Sequence, residues 1–187
     1  MEFWRHKMAT YTLIESQTLT NSTTSVVSFT SIPTIFTDLV VRGSLSTTSA
    51  APWANFWMFF NGDTSAGSYT TYSGTQLYGN GGGGSVTSTR QTNASYNTVS
   101  TQINGSSVTT NYGNIELYFP NYNSTATKPF STFGVSETNA ATTYLGVSAQ
   151  QFRGTAGLTT ISFDQSVNGT FWYTGSSFYL YGISNTI

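Results

Sequence analysis

Cysteine is absent from this 187-residue chain, histidine occurs once, and only 7% of the residues are Asp, Glu, Lys or Arg, against about 25% in an ordinary soluble domain. Without cysteine there is no disulfide, no cysteine-ligated zinc and no thiol nucleophile. The single histidine, His6, lies in the first few residues, so a Ser-His-Asp arrangement has no base within the body of the chain. The six Lys and Arg residues are widely spread and the formal net charge is −1, which leaves no cationic footprint for a phosphate backbone and excludes nucleic acid as a partner. No apolar run approaches the ~18 residues of a membrane-spanning helix, and the start of the chain lacks the apolar core of a signal peptide.

Ser, Thr, Asn and Gly stand where charge is missing, and 16% of the residues are aromatic, with 13 Phe, 12 Tyr and 4 Trp. That mixture favours pleated sheet and turns over helix. It is not the composition of a disordered chain, because each aromatic ring can remove ~150–250 Å² from water. The expected product is one core inside a neutral, hydroxyl-rich skin. Such a skin neither repels its own copies nor attracts polyanions, so it suits assembly and stable partner contacts.

Strand-like segments recur about every dozen residues, punctuated by Gly, Asn, Ser and Pro, and no stretch keeps a helical period. The pattern predicts strands over Trp53–Phe60 and Gly113–Phe119, among about a dozen in all. In the second of these, Ile115, Leu117 and Phe119 share one face while Glu116 and Tyr118 share the other. Leu39 and Val41 separate in the same way from Asp38, Val40 and Arg42, as do Ile161 and Phe163 from Thr160 and Ser162. By contrast Phe56-Trp57-Met58-Phe59-Phe60 and Phe178-Tyr179-Leu180-Tyr181 are apolar or aromatic on both faces, as in a strand covered twice. The run Gly79-Asn80-Gly81-Gly82-Gly83-Gly84 predicts an exposed loop. An all-β, single-domain, two-sheet β-sandwich of jelly-roll type hides this many strand edges around one core, with an immunoglobulin-like sandwich and an up-and-down barrel as the alternatives. The domain is expected over 9–187. Residues 1–8, where Glu2, Arg5 and Lys7 break the low-charge pattern, read as an arm, an upstream start or a cloning remnant, with Met8 a second start.

The carboxylates Glu15, Asp38, Asp63, Glu116, Glu137 and Asp164 are not paired locally, so two-carboxylate hydrolysis has no sequence signature. Asn61-Gly62-Asp63-Thr64 reads as a turn, because it lacks the acidic density of a calcium loop. No catalytic residue, metal ligand or cofactor is expected. Tyr69, Tyr72, Tyr78, Tyr96, Tyr112, Tyr118 and Tyr122, interleaved with Asn and Thr, suit either sheet packing or a platform for stacking sugars.

Several segments together resemble a domain found among virion proteins of tailed bacteriophages, especially those of aquatic bacteria. They are Tyr11-Thr12-Leu13-Ile14, Ser28-Phe29-Thr30-Ser31-Ile32-Pro33, Phe36-Thr37-Asp38-Leu39-Val40-Val41-Arg42-Gly43 and Phe60-Asn61-Gly62-Asp63-Thr64, followed by Leu77-Tyr78-Gly79-Asn80-Gly81, Ile115-Glu116-Leu117-Tyr118-Phe119-Pro120-Asn121-Tyr122 and the stretch from Gly175 to Ile183. The resemblance implies a jelly-roll-like sandwich on a virion surface, without enzymatic activity. Similar domains occur in longer fibres, whereas this sequence stops at Ile187 without a shaft, which favours a capsid decoration (cement) protein on the outer head surface. The partners implied are the major capsid protein and further copies of the chain, as a homo-oligomer expected to be a trimer. A receptor-binding module of a tail or fibre that grips host glycan is the alternative. Candidate interface residues are Trp53, Phe56, Trp57, Phe59, Tyr118, Tyr122, Phe178, Tyr179 and Tyr181.

Overall fold

The computed structural model describes residues 9–51, 53–63, 71–104, 111–137, 142–166 and 169–184; the expected arm, residues 1–8, lies outside them. Among the described residues twelve strands form, two with the predicted bounds and the others with shifted ends: β1 (Thr10–Thr18), β2 (Val26–Phe29), β3 (Asp38–Leu45), β4 (Trp53–Phe60), β5 (Tyr72–Asn80), β6 (Val86–Ala94), β7 (Asn97–Asn104), β8 (Gly113–Phe119), β9 (Lys128–Glu137), β10 (Thr143–Phe152), β11 (Ile161–Asp164) and β12 (Ser177–Ser184). No helix among the described residues is long and apolar enough to cross a membrane.

All strand pairs are antiparallel, in an eight-stranded sheet of order β1-β12-β3-β8-β9-β10-β5-β6 and a four-stranded sheet of order β2-β11-β4-β7. Setting aside β5, β6, β9 and β10 leaves β1-β12-β3-β8 facing β2-β11-β4-β7. Consecutive strands in that subset switch sheets at every step except β4 to β7, which are neighbours in the small sheet, and β1, the first, pairs with β12, the last. This wrapping is the double Greek key of a jelly roll, and it excludes both the immunoglobulin-like sandwich and the up-and-down barrel. The β5–β6 hairpin and the β9–β10 hairpin are additions to it. Both join the large sheet beyond β8, so one sheet has twice the strands of the other.

The core between the sheets is built from aromatic rings at alternate positions. Phe56 and Phe60, both on β4 and pointing inward, anchor its two ends. At one end Phe56 meets Phe163 and Trp172 edge-on or tilted, with ring centroids 5.9 and 5.5 Å apart, and Phe178 closes the group against both. At the other end Phe60 touches Tyr72, Phe119, Phe130 and Phe152 at 5.1–6.0 Å. Geometries of this kind add ~0.5–1.5 kcal/mol per pair beyond area burial. Gly182 on β12 is required by the packing: a Cβ there would lie 2.3 Å from the Phe36 ring.

The turn residues behave as their chemistry dictates. Asn61 and Gly62 both adopt positive φ, 53° and 70°, at the end of β4, as in a type I′ turn. The Asn61 side-chain oxygen then accepts from the Thr159 and Thr160 amides at 2.8 and 3.2 Å, and its amide donates to the Gly157 carbonyl at 2.9 Å. This segment is thus a structural turn, as expected, with Thr64 outside the described residues. The glycine run closes the β5–β6 hairpin as an exposed loop. Pro129 is tolerated inside β9 because β8 pairs only with Ser131–Val135, leaving the start of β9 open on that side.

Tyr72 is fully buried, and its hydroxyl accepts the Phe60 amide at 3.1 Å. Burial raises the Tyr72 and Tyr122 phenols above their ordinary value. A raised folded-state value means that their contribution to stability is complete below about pH 10 and is lost as the pH climbs toward the folded-state value. Tyr72→Phe removes the acceptor of a buried amide and is expected to cost ~1–3 kcal/mol near neutrality. It should also weaken the alkaline loss of stability; urea denaturation near neutrality and above about pH 10 measures both effects.

Candidate functional site

The sequence-predicted interface residues do not form one surface. Strand alternation divides them among the core and the two outer faces. Phe56, Tyr122 and Phe178 are fully buried in the core, so they have no area for a partner, and the expectation for these three is corrected. The reason is parity: a run apolar on both faces does not say which set of alternate residues points inward. On β4 the inward set is Phe56, Met58 and Phe60, and on β12 it is Phe178 and Leu180. Trp57 and Phe59 point to the outer side of the small sheet, where Trp57 stacks on Tyr96 with centroids 3.9 Å apart and Phe59, itself buried, stands edge-on to Trp57. Tyr118, Tyr179 and Tyr181 lie on the outer face of the large sheet. The backbone of Trp53 pairs with Asn104; its side chain is outside the described residues.

The tyrosine platform disperses as well. Tyr72 and Tyr122 are in the core, Tyr112 donates to the Thr174 carbonyl at 2.7 Å, Tyr96 stacks on Trp57, and Tyr69 is outside the described residues. The carboxylates have structural duties. Asp38 accepts the Tyr118 hydroxyl and the Asn121 amide, both at 2.8 Å, Glu15 accepts Gln17 Nε2, and Asp164 accepts the Ser166 amide at 2.7 Å. Burial, and then the neighbouring Asp38, raise the Tyr118 phenol.

The outer face of the large sheet changes character across its width. Over β1, β12 and β3 it carries tyrosines with a polar edge: Tyr11 meets Tyr181 edge-on at 6.4 Å, the Arg42 guanidinium lies 5.7 Å from the Tyr11 ring, and Arg42 pairs with Glu116 of β8 at 2.8 Å. Over β9, β10, β5 and β6 the same face is aliphatic. Phe133, Val147 and Leu77 form one cross-strand row, and Val135, Leu145, Gly79 and Val86 form the next. Phe133 and Leu145 are each 46% exposed, Leu77 45% and Val86 74%. Two shallow hollows of ≈ 460 and ≈ 480 Å³ open between these side chains.

The inner face shows the reverse. The inward residues of β3 and β8 are Leu39, Val41, Ile115, Leu117 and Phe119, but beyond them the inward positions are shared between Phe130, Phe152 and Tyr72, which reach Phe60 of β4, and Thr132, Ser148, Gln76 and Gln150. The small sheet ends at β7, and among the described strands it is β7 that packs against the polar part of the flank. An edge strand leaves backbone groups without a ladder partner, and buried groups of that kind must be satisfied. Gln76 and Gln150 both donate to the Thr98 carbonyl of β7, while Gln91 accepts the Thr98 amide at 3.3 Å. Thr132 and Ser148 close on each other at 2.5 Å. Thus along the middle of β9, β10 and β5 the polar side chains face inward and the apolar ones outward, while at one end Phe130, Phe152 and Tyr72 still enter the core. Lys128 is buried at the start of β9, its ammonium donating to the Ala126 and Gly154 carbonyls, and burial lowers its pKa.

Phe133, Leu145, Val147 and Leu77 are the surface residues that sequence reasoning missed. Their signal is present, since Leu145, Val147 and Ala149 alternate with Gly146, Ser148 and Gln150, but an apolar alternation is ordinarily assigned to the core. Contiguous exposed apolar side chains are the unusual observation on this face. Comparison with protein-family models, with curated proteins and with solved structures finds no match.

Two leucines on the same sheet distinguish its faces. Leu117→Ala, inside the sandwich, is expected to cost ~2–5 kcal/mol. Leu77→Ala, on the flank, should cost less than about 1 kcal/mol at protein dilutions where the copies are apart. Urea denaturation of the two variants measures the difference; equal losses would mean that the flank is packed the other way round.

Proposed function

We propose that the chain is a non-enzymatic structural protein of a bacteriophage virion, a capsid decoration protein that attaches to the outer head surface and stabilises the shell by buried contact. The observation that carries this reading is the inverted flank: the exposed Phe133, Leu145, Leu77 and Val86 on the outer face need a partner to cover them. The jelly-roll order and the low charge of the skin support it, as does the resemblance of the quoted segments to virion surface domains. Attachment uses the outer face of the eight-stranded sheet. Its tyrosine half offers broad rings with polar tips, the combination favoured at protein interfaces, and this is the half assigned to the major capsid protein. The aliphatic half is left for self-association.

A second reading has its own observation. The Trp57–Tyr96 stack on the opposite face of the sandwich is an aromatic surface of the type on which sugars stack. It would make the chain a glycan-binding module of a tail or fibre.

Contact by burial rather than by charge predicts that attachment survives high salt. At about 1 M salt, where the Debye length is ~3 Å, purified chain added to particles lacking it should still co-sediment with heads. Release by salt would exclude burial as the mechanism, and saturable binding to host cells that free sugar competes away, without binding to heads, would favour the second reading.

A further inference from the structure

We infer that the aliphatic flank of the large sheet is covered by a second copy of this chain, packed face to face about a two-fold axis that runs along β10. The inference rests on the reading of the chain as an assembly protein and names the occupant of one half of its surface. Three observations lead to it.

The first is the symmetry of the flank. In the order β8-β9-β10-β5-β6, β10 is the middle strand. A two-fold along it brings β9 over β5 of the second copy and β8 over β6. Phe133 on β9 and Leu77 on β5 share one cross-strand row with Val147 between them. Each Phe133 therefore meets Leu77 of the second copy, while Val147, Leu145 and Ala149 meet their own counterparts. Such self-complementarity is the requirement of an isologous interface.

The second is charge. Arg90 on β6 lies in the same cross-strand row as Tyr118 on β8, linked through Ser131, Ala149 and Thr75. The two-fold places the Arg90 guanidinium over the Tyr118 ring of the second copy, where a cation is favoured; Glu116, one row away, is already paired with Arg42. The other in-plane two-fold, at right angles to the strands along the Phe133–Leu77 row, would set Arg90 against the apolar Val86 of the second copy. The charge distribution therefore selects one axis.

The third is area. Five strands at about 4.8 Å spacing and three side-chain rows at about 6.8 Å span several hundred Å² of projected surface, of the order of the ~800 Å² per partner that a standard interface buries. The hollow between Tyr118, Phe133 and Leu77 gives the opposing side chains a place to enter. Two twisted sheets packed this way keep their strands within about 30° of each other. This commits the assembly to two-fold pairs.

The absence of cysteine makes the geometry directly readable. Sedimentation equilibrium of the chain should give twice the monomer mass. Val147→Asp sets two carboxylates together on the axis and should weaken the pair by at least ~100-fold, with an unchanged circular dichroism spectrum showing that the fold is retained. Under oxidation Val147→Cys should form a disulfide-linked dimer by itself. Phe133→Cys and Leu77→Cys should each stay monomeric when alone under denaturing electrophoresis, and cross-link when mixed. A wild-type chain that sediments as a monomer would overturn the proposal, and Phe133→Cys linking to itself would overturn the axis. Binding to heads is scored separately: monomers that still decorate heads sink this inference and leave the decoration reading standing, whereas dimers that bind no heads do the opposite.

Discussion

An eight-stranded sheet has about twice the face that a four-stranded sheet can cover, and the distribution of polar and apolar residues follows from that mismatch. Where both layers are present, over β12, β3 and β8, the inner positions are Leu, Val, Ile and Phe, and the rings of β4 fill the space between. Where only β7 reaches, an apolar inner face would have no second layer to pack against, and an edge strand's carbonyls would be buried without partners. Amide and hydroxyl side chains solve that local problem. Gln76 and Gln150 give up the hydrophobic contribution of their positions and satisfy Thr98 instead. The apolar residues of the flank are then free to point away from the core.

The strands themselves were highly legible in the sequence. Trp53–Phe60 and Gly113–Phe119 match the expectation residue for residue, because β-branched and aromatic residues bounded by Gly, Asn and Pro leave few other conformations open. The jelly-roll class followed from strand number and the need to hide edges. What the sequence did not reveal was which side of a strand is inside. For β8 the contrast between Ile115-Leu117-Phe119 and Glu116-Tyr118 settles the matter, since a carboxylate does not enter the core. For β10 the contrast is between Leu145-Val147-Ala149 and Gly146-Ser148-Gln150, and the usual inference puts the first set inside. That inference fails because a buried glutamine amide can find a backbone carbonyl, as Gln150 and Gln76 find that of Thr98, which offsets part of the cost of burying it. Recognising it requires knowing that an edge strand lies opposite, which is a fact of tertiary arrangement.

The same reasoning explains the fate of the aromatic interface residues. Phe56 and Phe178 were expected at a surface because their neighbours are also aromatic, and Tyr122 as one of the tyrosines interleaved with Asn and Thr, yet all three are among the most buried rings in the fold. Trp57 and Tyr181, their alternation partners, carry the exposed half of that richness. The low charge that marks the chain is concentrated in its effect: Arg42 and Glu116 spend themselves on each other at the boundary between the tyrosine and aliphatic halves, and the aliphatic half is left almost without charge. An exposed pair of that kind adds little to stability, but it divides one continuous face into two surfaces of different chemistry.

The pairing of β1 with β12 has a consequence in time. β12 lies between β1 and β3, so the slot it fills stays open until nearly the whole span from Thr10 to Ser184 has left the ribosome. Until then the β3 edge and the core end around Phe163 and Trp172 lack the strand that carries Phe178. Closing such a long loop is slow compared with forming hairpins such as β5–β6 or β9–β10. The nascent chain therefore presents its apolar flank before its body is complete, and the order of these two events decides whether copies meet as finished subunits or as partly folded ones.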